Sequence, residues 1–195
     1  VEWMKVKWAV NQDTIKQSKI YEAIAKLNFP IIYTTNYDHC LEIAHYQWGK
    51  PYRQIIDVDD FVSLDSSETQ IVKFHGDITS ASSIILTEGS YFERLSFESP
   101  LDIKLRSDML GKSILFIGYS LSDINMRLLI YKLDQLWRKS NESGKRPKSY
   151  LFMAAPNPIQ EKILESRGIN AIIGKDRDRT KSLEDFLWEL TQTGS

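Results

Sequence analysis

Three short motifs in this sequence place polar and acidic side chains directly after apolar runs. They are Thr34-Thr35-Asn36-Tyr37-Asp38, Lys73-Phe74-His75-Gly76-Asp77 and Gly118-Tyr119-Ser120-Leu121-Ser122-Asp123. Polar residues that follow buried strands lie at the rim where open α/β sheets bind ligands. The three motifs therefore predict a ligand site built from loops at one edge of a sheet.

The first motif offers Asn36 and Asp38 at the point where a strand should end. Strands disfavour Asn and Asp, so these residues need another role. One of them could cap a helix that begins near Tyr37, which would leave the other free to meet a ligand. The positive end of that helix would keep Asp38 ionised.

In the second motif, His75 follows an apolar strand and precedes a glycine that would leave the approach to it open. Histidine has an ordinary pKa of about 6.5 and suits proton abstraction near neutral pH, so His75 is a candidate general base. A hydrogen-bonded core histidine is an equally good reading of one isolated residue. His39 and His45 lack this position after a strand, and we assign them no function.

The third motif places Gly118 at a strand end and serines at the start of the next helix. Glycine lets a ligand approach the main chain, and Ser120 or Ser122 could donate to a phosphate or ribose. Ordinary capping by Ser122, with Asn125 three residues on, explains the same pattern. Gly174 also ends a predicted strand, where it could meet a base or ribose.

The elements that must position these residues alternate along the chain. Predicted strands cover Ile31 to Thr34, Gln70 to His75, Ile84 to Leu86, Ser113 to Ile117, Tyr150 to Ala154 and Ala171 to Ile173. Predicted helices cover the segment after Asn11-Gln12-Asp13 to Leu27, Tyr37 to Trp48, Gly89 to Ser96, Pro100 to Leu110, Ser122 to Lys139, Pro158 to Arg167 and Ser182 to Leu190. Apolar strands separated by helices indicate an α/β fold with a parallel sheet buried on both faces.

Composition narrows the function classes. The chain has 195 residues, 42% of them hydrophobic, and a formal net charge of −1, which suits one globular domain and does not mark the surface for nucleic acid. A single cysteine, Cys40, excludes a four-cysteine zinc site, and no ligand pair has the spacing of a metal site. Apolar runs stay far below the ~20 residues of a membrane span. We expect a cytoplasmic protein without a metal or a membrane contact.

Together the motifs resemble the sirtuin-like (SIR2-like) family of NAD-consuming enzymes, in its bacterial branch of anti-phage defence proteins. Thr34-Thr35-Asn36-Tyr37-Asp38 resembles that branch's Thr-Thr-Asn-Tyr-Asp, and Phe74-His75-Gly76 resembles the catalytic His-Gly of the family. Phe116 to Asn125 resembles its later nucleotide-binding strand and turn. The resemblance covers roughly residues 30 to 175 and implies a Rossmann-like fold that binds NAD.

The resemblance also implies roles for individual residues. Asn36 would contact the nicotinamide ribose and help position a water, Asp38 would hold the nicotinamide carboxamide, and His75 would act as general base. The nucleotide would be lined by Thr35, Gly76, Gly118, Tyr119, Ser120, Asn125 and Gly174. The implied reaction is hydrolysis of NAD to nicotinamide and ADP-ribose, in a homo-oligomer or under the control of a sensor domain or partner protein.

Two departures from the family qualify this expectation. The four-cysteine zinc module of deacetylase sirtuins is impossible with one cysteine, which favours hydrolysis of NAD over peptide deacylation. The family's first strand and its Gly-Ala-Gly pyrophosphate loop have no counterpart, so we expect residues 1–195 to be a single domain that is a fragment lacking that part. The alternative is that the N-terminal segment replaces that strand.

Three other functions remain open on the sequence alone. A module with this fold could bind NAD or ADP-ribose without cleaving it, and the missing glycine loop favours that reading. An interaction scaffold could dock partners through helices that carry Trp3, Trp8, Trp48, Trp137 and Trp188. A metal-dependent phosphohydrolase built on His75, Asp77 and Asp38 is the most remote.

Overall fold

The computed structural model describes residues 3, 10–62, 64–93, 98–119, 124–139 and 145–193. The chain divides into two compact units, which are described separately. The first unit comprises Val1–Phe92 and Glu184–Ser195, and the second comprises Glu93–Leu183. The motifs around Asn36 and His75 belong to the first unit, and the motif that begins at Gly118 belongs to the second.

The first unit is built around a three-stranded parallel sheet. Its elements are α1 (Gln12–Gln17), α2 (Lys19–Leu27), β1 (Ile31–Thr34), α3 (Cys40–Gln47), β2 (Tyr52–Ile55), a 3₁₀ turn (Val58–Phe61), β3 (Thr69–Lys73), a second 3₁₀ turn (Ala81–Ser83) and α4 (Glu88–Glu93), which ends at the boundary between the units. The strand order is β1-β3-β2. Helix α3 packs against α1 and α2.

The register of this sheet fixes which loops meet at its edge. Ile31 pairs with Gln70 and Thr34 pairs with Lys73, so β1 and β3 end side by side. The ladder continues one step further, where the Phe74 amide donates to the Thr34 carbonyl at 2.8 Å. The segments after these two strands therefore leave the sheet at the same level.

The second unit contains another parallel sheet with helices around it. Its elements are α5 (Pro100–Gly111), β4 (Ile114–Phe116), α6 (Ile124–Arg138), β5 (Ser149–Met153), α7 (Pro158–Ser166), β6 (Ile169–Ile173) and the beginning of α8 (Arg179–Thr193). The strand order is β4-β5-β6. Leu129, Leu151 and Leu164 are almost fully buried in this unit. Parallel strands joined through helices confirm the predicted α/β class and agree with a Rossmann-like fold.

Two predicted elements differ from the structure, and one strand was not predicted. The helix predicted up to Leu27 is broken at Ser18, whose extended backbone (φ −84°, ψ 114°) caps α2 while its hydroxyl accepts from the Tyr21 amide. Strand β2 was missed because its sequence, Tyr-Arg-Gln-Ile, is half polar and its exposure alternates. The strand predicted at Ile84 to Leu86 is wrong, since these residues follow a 3₁₀ turn without joining a strand.

Helix boundaries shift for local reasons. The helix predicted from Tyr37 begins at Cys40, because the first residues after β1 are occupied by loop contacts. Residues 94–97 of the predicted 89–96 helix and residues 122–123 of the predicted 122–139 helix lie outside the described residues. Residues 1–2 and 4–9, whose sequence fits a half-exposed strand and a helix equally, also lie outside them.

Candidate functional site

Asn36 and His75 occupy matching positions on neighbouring strands. Each lies two residues beyond the last paired position of its strand, because Thr34 pairs with Lys73. Asn36 is exposed, and its main-chain N–H donates to the Thr34 hydroxyl at 3.1 Å. His75 is only 5% exposed and its ring lies beside Phe74, with 5.7 Å between centroids. The structure thus brings the two predicted catalytic residues to one edge of one sheet.

Asp38 connects the first motif to helix α3. Its carboxylate accepts a hydrogen bond of 3.0 Å from the amide of Cys40, the first residue of the helix. That contact satisfies one of the amides left open at a helix start. Asp38 makes this contact from the position before the N-cap, which is His39 and forms no side-chain capping bond. The contact of Asp38 with a carboxamide stays a prediction. Thr35, half-buried between Thr34 and Asn36, also stays a predicted nucleotide contact.

Gly76 is explained by the close approach of another loop. Its φ is +95°, and a Cβ built on it would lie 2.2 Å from the Ser83 carbonyl oxygen. Only glycine fits such a backbone against main-chain atoms. We expected this glycine to keep the approach to His75 open, whereas the space in the Cβ direction is filled by Ser83. Its contact with a nucleotide stays a prediction.

The loop after β3 is tied to both motifs by hydrogen bonds. The Ile85 amide donates to the His75 carbonyl at 2.9 Å, and the Tyr37 hydroxyl donates to the Ile85 carbonyl at 2.6 Å. The Ile78 amide donates to the Tyr37 carbonyl at 3.0 Å. Tyr37 therefore belongs to the framework that holds the two motifs together.

A cluster of buried charged side chains underlies the site. It consists of Glu42, Lys73 and Asp77, with Gln54 and His39 in contact with it. Lys73 and Asp77 are fully buried. On the sequence alone, Lys73 and His39 had no assigned role, and Asp77 had one only in the remote alternative of a metal-dependent phosphohydrolase. Lys73 within the run Ile71-Val72-Lys73-Phe74 was the available signal, because a charge in a buried strand needs partners.

The pKa values around this cluster follow from its contacts. Burial opposes ionisation of Asp77, but hydrogen bonds from Thr79 and His39 and the charge of Lys73 outweigh it and lower its pKa. Asp77 is therefore ionised at neutral pH. Burial raises the pKa of the Cys40 thiol to about 11, so this cysteine is protonated and not a nucleophile at neutral pH.

The remaining predicted residues lie in the second unit or outside the described residues. Gly118 and Gly174 follow β4 and β6, so both lie at the carboxyl edge of the second sheet. Gly118 is exposed with φ +64°, and a Cβ there would meet nothing within 4 Å. A Cβ on Gly174 would instead lie 2.0 Å from the Ser182 hydroxyl oxygen.

Tyr119 is half-buried, and its ring lies 6.0 Å from that of Phe116. Asn125 is the second residue of α6, but its side chain is outside the described part, as is the whole of Ser120. All five residues of this unit stay predicted nucleotide contacts. In the described ranges, no group of three or more His, Cys, Asp or Glu side chains could hold a metal ion.

Comparison with known proteins shows the family to which this chain belongs. Residues 30–172 match the model of the SIR2-like domain, which is most of the chain, so the chain belongs to the SIR2-like domain family. This confirms the resemblance drawn from the three motifs. Among the helices in the described ranges, none combines the length and the apolar character of a membrane span.

Several curated proteins are similar to this chain. Defense-associated sirtuin 2 of Bacillus subtilis is 27% identical over 162 residues, which cover 78% of this chain and 15% of that protein. The NAD(+) hydrolase ThsA of Cytobacillus dafuensis is 32% identical over 114 residues, 58% of this chain and 23% of the relative. ThsA of Enterococcus faecium is 29% identical over 136 residues, 66% of this chain and 27% of the relative. The chain thus spans about a quarter or less of their length.

Proposed function

We propose that this chain is the catalytic domain of an NAD hydrolase, which cleaves NAD to nicotinamide and ADP-ribose. The observation that carries the proposal is the paired position of Asn36 and His75, each two residues past the end of adjacent parallel strands. Relatives named NAD(+) hydrolase support the substrate. Binding of NAD or ADP-ribose by this chain is part of the same proposal.

In the proposed reaction, the bond between the ribose C1′ atom and the nicotinamide nitrogen breaks, and its electron pair leaves with nicotinamide. The cationic pyridinium becomes neutral, while charge develops on the ribose ring as in other glycoside cleavages. A water oxygen then bonds to C1′, and its proton passes to the His75 imidazole. Asn36 orients the water and the ribose, and Asp38 holds the carboxamide. Orientation and a base suffice, because the leaving group is already activated.

The test is nicotinamide release from NAD by the purified protein and by His75→Ala and Asn36→Ala variants. We expect His75→Ala to lower kcat about 100- to 10,000-fold, which is the usual contribution of a general base. Tyr46→Ala is the matched control, because this tyrosine is 81% exposed on α3 and should leave turnover unchanged. Thermal unfolding of all variants checks that they fold.

Calorimetry with ADP-ribose separates the remaining readings. Binding of ADP-ribose without nicotinamide release from the parent protein would favour a non-catalytic binding module. Equal release by the parent and His75→Ala would refute the proposed base. If the parent protein neither binds ADP-ribose nor releases nicotinamide, the proposal of an NAD site is refuted.

We further propose that residues 1–195 act as one sirtuin-like domain of a cytoplasmic defence effector that depletes NAD. The name of the Bacillus subtilis relative supports a role in defence. Control by assembly into a homo-oligomer, or by a sensor domain or partner protein, would keep NAD intact before infection. Cellular NAD measured during phage infection, with His75→Ala as the inactive control, tests this role.

A further inference from the structure

The residues two positions before and two positions after His75 in the sequence both have fully buried charged side chains. They are Lys73, the last residue of β3, and Asp77, in the loop that follows. Both reach the segment that carries Asn36 and Asp38. His75 therefore lies between two anchors that attach its loop to the first motif.

Lys73 forms the first anchor. Its ammonium group donates to the main-chain carbonyl of Asp38 and lies 3.3 Å from the Glu42 carboxylate. It also lies 3.4 Å from the Asp77 carboxylate. A buried ammonium is tolerated only where partners surround it, so its geometry is tightly specified. The Asp38 carbonyl is held at a defined place relative to the end of β3.

Asp77 forms the second anchor. Its carboxylate accepts from the His39 ring at 2.9 and 3.0 Å, from the Gln54 amide at 2.7 Å and from the Thr79 main chain at 2.8 Å. His39 directly follows Asp38, and Gln54 lies on β2. One side chain thus connects the loop after β3 to the segment after β1 and to a third strand.

We propose that Lys73 and Asp77 are positioning residues that hold the segment 36–39 and His75 at the separation needed for catalysis. This inference rests on the proposed NAD hydrolase function. Neither side chain needs to touch the substrate, because both act through Asn36, Asp38 and His75. A displacement of catalytic groups by about 1 Å can lower a rate about 100-fold.

Lys73→Met tests the first anchor, since Met has a similar length and no charge. We expect kcat for nicotinamide release to fall about 10- to 100-fold, while KM changes less than about threefold. Lys73→Arg should recover part of kcat, because its guanidinium can donate to the same carbonyl. Lys26→Met is the matched control, since Lys26 pairs with Glu22 and lies over Trp188 at the surface.

A second variant distinguishes a loss of positioning from a failure to fold. Lys73→Met leaves the buried Glu42 carboxylate without its cation, and the double variant Lys73→Met/Glu42→Gln removes that charge as well. The double variant should fold and keep the low kcat. Asp77→Asn tests the second anchor and should lower kcat in the same way.

Histidine NMR of the protein labelled with ¹³C gives a readout that does not depend on activity. The His75 signal is identified by its loss in His75→Ala, and it should shift in Lys73→Met and in the double variant but not in Lys26→Met. Folded Lys73 variants with parental kcat, an unshifted His75 signal, or an equal loss of kcat in Lys26→Met would overturn the inference. If the parent protein releases no nicotinamide, a shifted His75 signal would support the anchors and refute the hydrolase.

Discussion

Replacing Gly76 by alanine should show how strongly the fold depends on the contact beside His75. Gly76 has φ +95°, and an added Cβ would lie 2.2 Å from the Ser83 carbonyl oxygen and 2.8 Å from the Ile84 Cα atom. These are main-chain atoms, which cannot rotate away as a flexible side chain could. The methyl group can be accommodated only if the loop around Ser83 moves.

The loss of stability has two sources. A left-handed backbone costs a non-glycine residue roughly 1–2 kcal/mol. Movement of the loop also weakens the hydrogen bond from Ile85 to His75 and the one from the Asp77 amide to the Ser83 hydroxyl, 2.9 and 3.0 Å long. Each such bond contributes about 0.5–1.5 kcal/mol. The free energy of unfolding should therefore fall by about 2–5 kcal/mol, which corresponds to a Tm lowered by roughly 4–20 °C for a chain of this size.

Gly49→Ala is the matched control for this prediction. Gly49 also has a positive φ, +62°, but a Cβ there would meet nothing within 4 Å. It should lose only the backbone contribution of about 1–2 kcal/mol. Urea unfolding of both variants gives the two free energies, and hydrogen exchange at the Ile85 amide reports the loop. Equal losses in the two variants, with Ile85 still protected, would refute the close contact.

Two further predictions concern buried polar atoms. Burial lowers the pKa of His45 despite its hydrogen bond to the Leu41 carbonyl, so below pH ~6.5 the unfolded chain takes up a proton that the folded chain does not. The free energy of unfolding should fall as the pH drops from about 6.5 through the folded-state pKa. When the pH is lowered from 7.5 to 5, Tm should fall less steeply in His45→Leu than in the parent protein. The buried hydroxyl of Ser182 has no hydrogen-bond partner among the described residues. Ser182→Ala should therefore leave Tm unchanged or raise it slightly. A Tm lowered by several degrees would contradict this prediction.

The strands were predictable where apolar residues run without interruption. Strand β1 was predicted with the bounds observed, and β4, β5 and β6 within two residues of their observed ends. Buried parallel strands need apolar side chains on both faces, which makes the signal strong. Strand β2 gave no such signal, because only Ile55 of its four residues is buried. Its pairing with β3 is a tertiary interaction that the local sequence does not encode.

The placement of the site was predictable for a different reason. Polar residues after apolar runs must lie at the carboxyl edge of a parallel sheet, so Asn36 and His75 were expected near each other before their register was known. What surrounds them was not predictable. The space beside Gly76 is filled by the main chain of Ser83. The approach of Ser83 depends on turns between residues 77 and 83, whose sequence has no regular pattern.

The buried charges were the least predictable part, because Lys, Glu and Asp are ordinarily assigned to the surface. Apolar side chains of similar volume could stabilise the core as well as Glu42, Lys73 and Asp77 do, since burying charges offsets most of their attraction. Apolar contacts are not directional, however, and could not hold the Asp38 carbonyl or the His39 ring at defined points. Lys73 and Asp77 supply that direction on either side of His75. A site that cleaves a bond by orientation has more use for fixed geometry than for additional stability.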